Sequence, residues 1–252
     1  MIAWEPVDLG CSDAAVRRSP DGSAYAKTAS GSAQVADLMA ERDKVVWLAT
    51  TPIPGPVLLD WEHAEDTATL VTSAVRGIPA SAVPEADASQ VLPAARALTE
   101  LHALPVSDCP FDHRLEVTCV AASAAVHRDL VDSADFDAER QGRQPRELLA
   151  ELLVAKEQMA RLEADDLVVC HGDACLPNIL LDPQTLRWTG LVDLARLGRA
   201  DRYLDLALLH RSLEGGANPQ FPEGSGDEAL AAYGVVADPT RLAYYRLLDE
   251  FF

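Results

Sequence analysis

The sequence predicts an α+β fold in two lobes: a small, strand-rich amino-terminal lobe over residues 1–76 and a larger, mainly helical lobe over residues 77–252. Three observations carry this. Turn-flanked β-like segments crowd the chain before Gly77, and helical periodicity dominates after it. The strands that do reappear are short and enclose a polar loop, "VVCHGDACLPNILLD" (Val168 to Asp182).

Element by element, "SPDGS" (Ser19 to Ser23) reads as the turn of a hairpin whose second strand runs through Tyr25 to Thr28, and Gly10 and Ser12 sit in the turn before its first strand. In "QVADLMAERDKVVWL", Val35, Leu38, Met39, Val45, Val46 and Leu48 recur near a helical period, so a helix with one buried face is expected. The breaker cluster "TPIPGP" separates it from two further strands, "VLLDW" and "TLVTSAV", the second ended by Gly77 and Pro79. Ser89 is placed to cap a helix running to Leu104, with Pro93 in its first turn, where a missing N–H costs little. A longer helix is expected from Pro145, and others over 203–213 and 240–250; "GGANPQFPEGSG" (Gly215 to Gly226) reads as a loop.

With 252 residues and 48% hydrophobic composition, the chain can bury a sizeable core and is not a disordered protein. Its five cysteines are odd in number and form no CxxC pair, and no signal-like segment precedes them, so reduced thiols and a cytoplasmic setting are expected. No apolar run approaches the roughly 20 residues that span a bilayer. A net charge of −19 repels nucleic acid and anionic membranes and favours a cationic partner; as much could be said of any well-solvated acidic surface.

The polar loop carries the chemistry. Asp173 follows one β-like run, Asn178 comes after four more residues, and Asp193 ends the next β-like run, "WTGLVD". In phosphoryl transfer an Asp positions the attacking hydroxyl and accepts its proton, while an Asn and a second Asp hold magnesium on the nucleotide phosphates. Carboxylate and amide oxygens are the hard donors magnesium requires. Each residue alone reads as a turn or cap; the spacing and flanking strands together favour the kinase pattern. His171 lies beside Cys170 and Cys175, but further metal-ligand spacings are missing, and an orienting or packed histidine is expected. Lys27, on a β-like segment, could meet the phosphates with Glu41 of the following helix as its ion-pair partner. The chain has only two other lysines, Lys44 and Lys156. Ser12 and neighbouring amides could close over a phosphate, though the turn lacks a full G-x-G-x-x-G.

Taken in order, "GCSDAAV", "WLATT", "CPFDH", "DDLVVCHGDACLPNILL", "GRADRYLDLAL" and the terminal "YRLLDEFF" resemble the aminoglycoside 3′-phosphotransferases that inactivate kanamycin and neomycin. The resemblance implies a two-lobed protein-kinase-like fold with nucleotide in the cleft and antibiotic on the carboxy-terminal lobe. It makes Asp173 the catalytic base, Asn178 and Asp193 the ligands of Mg2+, Lys27 and Glu41 the phosphate-positioning pair, and Ser12 a phosphate-loop contact. "SAV" (Ser73 to Val75) resembles the linker whose backbone hydrogen-bonds adenine. For a cationic aminoglycoside the family pattern points to Asp137, Arg196, Arg211, Asp249, Glu250 and the carboxylate of Phe252, each acid meeting an ammonium through a charge-assisted hydrogen bond. The implied donor is ATP or GTP.

The chain also departs from the family pattern. Its amino terminus is shorter, so a trimmed first element is expected; Ala138 stands where relatives often carry a second acid; and Glu214 is followed by Gly215 and Gly216. Drug ranking is what these changes touch. Three competing readings stand beside the 3′-kinase: a kinase of streptomycin or another hydroxylated molecule, a binding-only pseudokinase, and a metal-dependent hydrolase built on His171 and Asp173. The presence of Asp173, Asn178 and Asp193 argues against the second, and the lack of further ligands against the third.

Overall fold

The computed structural model describes residues 4–7, 15–83, 88–214, 216 and 218–252. In chain order the elements are β1 (Glu5–Pro6), β2 (Ala15–Arg18), β3 (Ala24–Ser30), α1 (Ser32–Leu48), β4 (Leu58–Ala64), β5 (Thr67–Ser73), β6 (Ile78–Pro79), α2 (Ala88–His102), α3 (Leu115–His127), α4 (Pro145–Asp165), β7 (Leu167–Cys170), β8 (Ile179–Leu181), β9 (Trp188–Leu191), β10 (Gly198–Asp201), α5 (Arg202–Glu214), α6 (Ser225–Tyr233) and α7 (Pro239–Asp249). This is the α+β arrangement expected. Among the described residues, no helix is long and apolar enough to cross a membrane.

Two compact units emerge, and no single cut in the sequence separates them. One takes the amino-terminal stretch through Ala82 together with Pro177–Arg196; the other takes Val83–Leu176 and Leu197–Phe252. The expected boundary at residue 76 therefore gains a discontinuous piece: the β8–β9 hairpin joins the first unit because β8 pairs with β6 beyond that boundary, Ile78 opposite Leu181.

In the first unit the strands run antiparallel in the order β1-β2-β3-β5-β4. The β2–β3 turn forms as the residues dictate. Gly22 takes φ +70°, and the Asp21 carboxylate accepts from the Ser19 hydroxyl and from Ser23 N–H and Oγ, which holds its pKa down to about 2. Lys27 sits mid-strand opposite Val16 and Leu70. Helix α1 packs Val35 and Leu38 onto Ala29, Ala68 and Leu70. Its buried stripe runs Val35, Leu38, Glu41, Val45, Leu48, so a glutamate occupies a core position.

The second unit is built on α5, which is buried on every side: Tyr203, Leu204, Asp205, Leu206, Ala207, Leu208 and Leu209 are all inaccessible. Around it pack α2, α6, α7 and the β7–β10 ribbon, in which Cys170 pairs with Gly198. Helix starts follow elementary capping chemistry. Asp238 accepts from Thr240 and Arg241 N–H ahead of α7, Asp201 accepts from Tyr203 N–H ahead of α5, and Pro145 opens α4. Three expectations are adjusted. Ser89 lies inside α2, one residue after its start, rather than ahead of it as a cap. That helix ends at His102, short of Leu104. Helix α6 begins at Ser225, within the stretch read as loop.

Candidate active site

In the first unit, Lys27 Nζ lies 2.8 Å from Glu41 Oε2 and 3.7 Å from Asp193 Oδ1. Burial pushes the lysine's pKa down, but Glu41 and Asp193 outweigh it and the value ends above that of ordinary lysine. Burial likewise raises the Glu41 carboxyl, and the pull of Lys27 offsets this only in part. Strand β3 and helix α1 thus deliver one fixed cation to Asp193.

Asn178 and Asp193 flank the β8–β9 hairpin at the same end. Val192 N–H donates to the Asn178 carbonyl at 3.0 Å, extending the pairing of Ile179 with Leu191. Asp193 adopts φ +57°, a backbone region costly for a non-glycine residue, and its side chain is 46% exposed. A carboxylate and an amide oxygen, both hard donors, carried at one end of a hairpin fit a magnesium ion in donor chemistry. Ser12 lies outside the described residues. Ser73 ends β5, where its N–H donates to the Val57 carbonyl; the next amide, of Ala74, donates to Ser23, and Val75 is half-buried.

In the second unit, Asp173 is half-buried in the loop after β7. That loop is held from beneath by Asp205. The Asp205 carboxylate, fully buried, accepts from Gly172 N–H at 2.8 Å on one oxygen and from His171 N–H at 2.7 Å on the other. Burial pushes its pKa up, yet the hydrogen bonds it accepts from the His102 side chain and the His171 backbone help bring it below the usual value, so it is ionised. Gly172 has φ +85°, a conformation that glycine takes without strain. His171 is inaccessible and its Nδ1 accepts the Asp173 N–H at 3.2 Å, the orienting role expected of it. Leu176 N–H then bonds Ser212 Oγ. The Cys175 thiol stays protonated: burial raises its pKa strongly, and the carboxylates of Asp173 and Asp249 add to this.

Of the residues expected to meet a drug, the second unit brings four together. Arg211 donates to Asp137 Oδ2 at 3.2 Å and to Asp249 Oδ2 at 2.5 Å. Glu250, its side chain 3% exposed, accepts from Asp137 N–H and from Arg140 at 3.1 Å. Phe252 is half-exposed and its N–H bonds the Asp249 carbonyl. Arg196 belongs to the first unit. The acids at the end of α7 are not unmatched charges, because Arg211 and Arg140 already pair with them.

Sequence reasoning missed Asp205, His102, Tyr233, Arg140, Glu163 and Asp201. Two of them left a signal, a lone acid inside an apolar run: Asp205 in "RYLDLALL", and Glu163 at a core position of α4. His102, Cys170 and Asp205 offer ligand atoms within 4.8 Å of one another. Hydrogen bonds already engage all three, Cys170 Sγ with the Asp201 carbonyl and His102 with Asp205 and Tyr233, so the cluster reads as a polar network rather than a metal site.

The sequence profile of the phosphotransferase enzyme family matches residues 3–245. The chain is 42% identical over 248 residues to a streptomycin 3''-kinase of Streptomyces griseus, covering 98% of this chain and 91% of that protein. An aminoglycoside 3'-phosphotransferase of Streptomyces fradiae is also 42% identical, over 260 residues, covering 99% and 95%. Among solved structures, aminoglycoside phosphotransferase APH(3'')-Id from Streptomyces rimosus, in complex with ADP and streptomycin, superposes with a TM-score of 0.88 at 43% identity, covering 99% of this chain and 92% of that one. An aminoglycoside-3'-phosphotransferase of type VIII gives 0.85 at 40%, covering 99% and 93%.

Proposed function

The chain belongs to the phosphotransferase enzyme family, and from that premise we propose that it moves the γ-phosphoryl group of ATP onto a hydroxyl of an aminoglycoside, streptomycin at its 3''-hydroxyl first, and so confers resistance in the cytoplasm. The observation that carries the reading is the fixed cation of Lys27, locked by Glu41 beside Asp193. Lys27 meets the nucleotide phosphates, and Glu41 keeps it in place. Asn178 and Asp193 hold Mg2+, which neutralises charge on the phosphates. Val75 supplies the linker amide to the nucleotide base, since the amides of Ser73 and Ala74 are already engaged. Asp173, its loop clamped by Asp205, orients the drug hydroxyl and accepts its proton.

Streptomycin comes first because the structure bound to ADP and streptomycin matches at higher identity than the type VIII enzyme. Composition agrees: Ala138 and the glycines after Glu214 leave fewer carboxylates than a drug rich in ammonium groups would use. The second reading, the 3′-hydroxyl of kanamycin and neomycin, is favoured by the equal 42% identity to the Streptomyces fradiae enzyme. Arg196, Asp137, Arg211, Asp249 and Phe252 stand as the drug-side residues in either case, with Glu250 bracing the Asp137 backbone through its N–H. Coupled ADP release across streptomycin, kanamycin, neomycin and a lividomycin-type drug lacking the 3′-hydroxyl separates the two, with mass spectrometry locating the added phosphate. Turnover of kanamycin and neomycin without streptomycin would reverse the order, and turnover of none would end the proposal.

A further inference from the structure

Behind the loop that carries Asp173, three side chains from three helices form an unbroken hydrogen-bonded line. Tyr233 of α6 places its hydroxyl 2.8 Å from His102 Nδ1; His102 of α2 places Nε2 2.9 Å from Asp205 Oδ2; and Asp205 of α5 accepts the His171 and Gly172 N–H groups. Donor logic fixes the bond to the carboxylate. Asp205 is a pure acceptor, so His102 presents N–H at Nε2, and the other ring nitrogen, Nδ1, shares a hydrogen bond with the Tyr233 hydroxyl. Burial holds the Tyr233 phenol protonated, with its pKa raised to about 12. The tyrosine ring also packs edge-on to the imidazole, centroids 5.5 Å apart.

We propose that His102 and Tyr233 are positioning residues for phosphoryl transfer: Tyr233 holds the imidazole ring of His102 in place, His102 fixes the Asp205 carboxylate, and Asp205 sets the backbone from which Asp173 projects. The inference rests on the reading of Asp173 as the base. Neither residue touches substrate. Their leverage comes from the carboxylate: Asp205 Oδ2 serves the His171 amide and His102 at once, so losing the imidazole donor frees a buried carboxylate to rotate between its remaining partners. Apolar packing alone would need a ring at position 233 but no hydroxyl, and that difference makes the proposal testable.

The test uses the full chain with Tyr233→Phe, His102→Gln and the double variant. Phenylalanine keeps the edge-on packing, and the glutamine amide can still donate to Asp205. In Tyr233→Phe, kcat falls at least about fivefold while both KM values stay within about twofold, the signature of misplaced chemistry rather than lost binding. The amides of His171 and Gly172 exchange about tenfold faster, as a locally loosened loop would, while those of α7 do not change. His102→Gln retains more than about half of kcat, and adding Tyr233→Phe to it costs less than about twofold, because no imidazole is left for the hydroxyl to hold. An unchanged kcat in Tyr233→Phe, equal losses in both backgrounds, or faster exchange throughout the molecule would overturn the inference. If the wild-type protein phosphorylates no aminoglycoside, the functional reading fails on its own, and exchange at His171 and Gly172 still decides whether Tyr233 holds the loop.

Discussion

The ammonium of Lys27 lies 2.8 Å from the carboxylate of Glu41, and both side chains are largely buried, at 18% and 10% exposure. Removing one partner of such a pair strands the other's charge in a poorly solvated place, at a cost of about 3–5 kcal/mol. Glu41→Gln keeps the shape and removes the charge. It is expected to lower kcat/KM for ATP at least about tenfold, a step of 1.4 kcal/mol, and to leave aminoglycoside binding measured without nucleotide unaltered. Nucleotide titrations of the folded variant check this; an unchanged kcat/KM would remove the pair from the nucleotide site.

Asp173→Asn preserves volume and removes the proton acceptor. Turnover should fall on the order of 10²- to 10⁴-fold with the melting curve intact. A variant keeping more than about a tenth of the rate would rule out Asp173 as the base. The hairpin pair behaves differently: Asn178→Ala and Asp193→Asn are expected to raise the half-saturating magnesium concentration at least about tenfold while drug affinity without nucleotide holds. Magnesium titrations in which both variants keep the metal dependence of wild type would disprove the assignment.

Much of this site was legible in the sequence because its signals are local. Asp173 and Asn178 stand at fixed spacing between short strands, and Lys27 and Glu41 fall on a strand and the helix that follows it. Turn and cap chemistry at Asp21, Gly22 and Pro145 was equally local. What escaped depends on contacts distant in the chain: His102 reaches Asp205 and Tyr233, Leu115 reaches Glu163, and Arg140 reaches Glu250. Nothing near His102 in sequence distinguishes it from a helix-terminal histidine. The discontinuous make-up of the first unit is hidden for the same reason, since β6 pairs with β8 across about a hundred intervening residues.

Glu163 supplies a pH prediction. Its carboxylate accepts Leu115 N–H at the start of α3, but burial dominates and lifts the pKa to about 7 from 4.5. The folded state therefore binds this proton more tightly than the unfolded chain does. The associated stability is full below about pH 4.5 and is lost as pH rises through about 7. Glu163→Gln keeps the acceptor and cannot ionise. Between pH 5 and 8 the variant should lose less stability than wild type, by on the order of 2 kcal/mol, read from denaturant melts at both pH values. Parallel pH profiles for the two proteins would show that Glu163 does not carry the effect.

Asp249 and Glu250 are adjacent in sequence but are predicted to separate by function. Both sit at the end of α7, where the helix dipole disfavours negative charge, and each has found a guanidinium: Arg211 for Asp249 at 2.5 Å, Arg140 for Glu250 at 3.1 Å. Glu250 also accepts the Asp137 N–H, and burial raises its pKa, so its bonds tie the segment before α4 to the end of the chain. Losing that charge costs structure. Asp249, by contrast, shares Arg211 with Asp137, whose side chain is 31% exposed, so a cationic drug can join a cluster that is already assembled and whose geometry Arg211 fixes. Glu250→Gln is accordingly expected to lower the melting temperature by several degrees, about 2–4 °C for each kcal/mol lost, with KM for the drug little changed. Asp249→Asn should raise KM for the aminoglycoside at least about tenfold, with nucleotide affinity held within about threefold and a smaller loss of stability. Calorimetric titration with nucleotide and with drug, beside melts of both variants, decides between them; a drug affinity that survives Asp249→Asn in a folded protein would take Asp249 out of the substrate site.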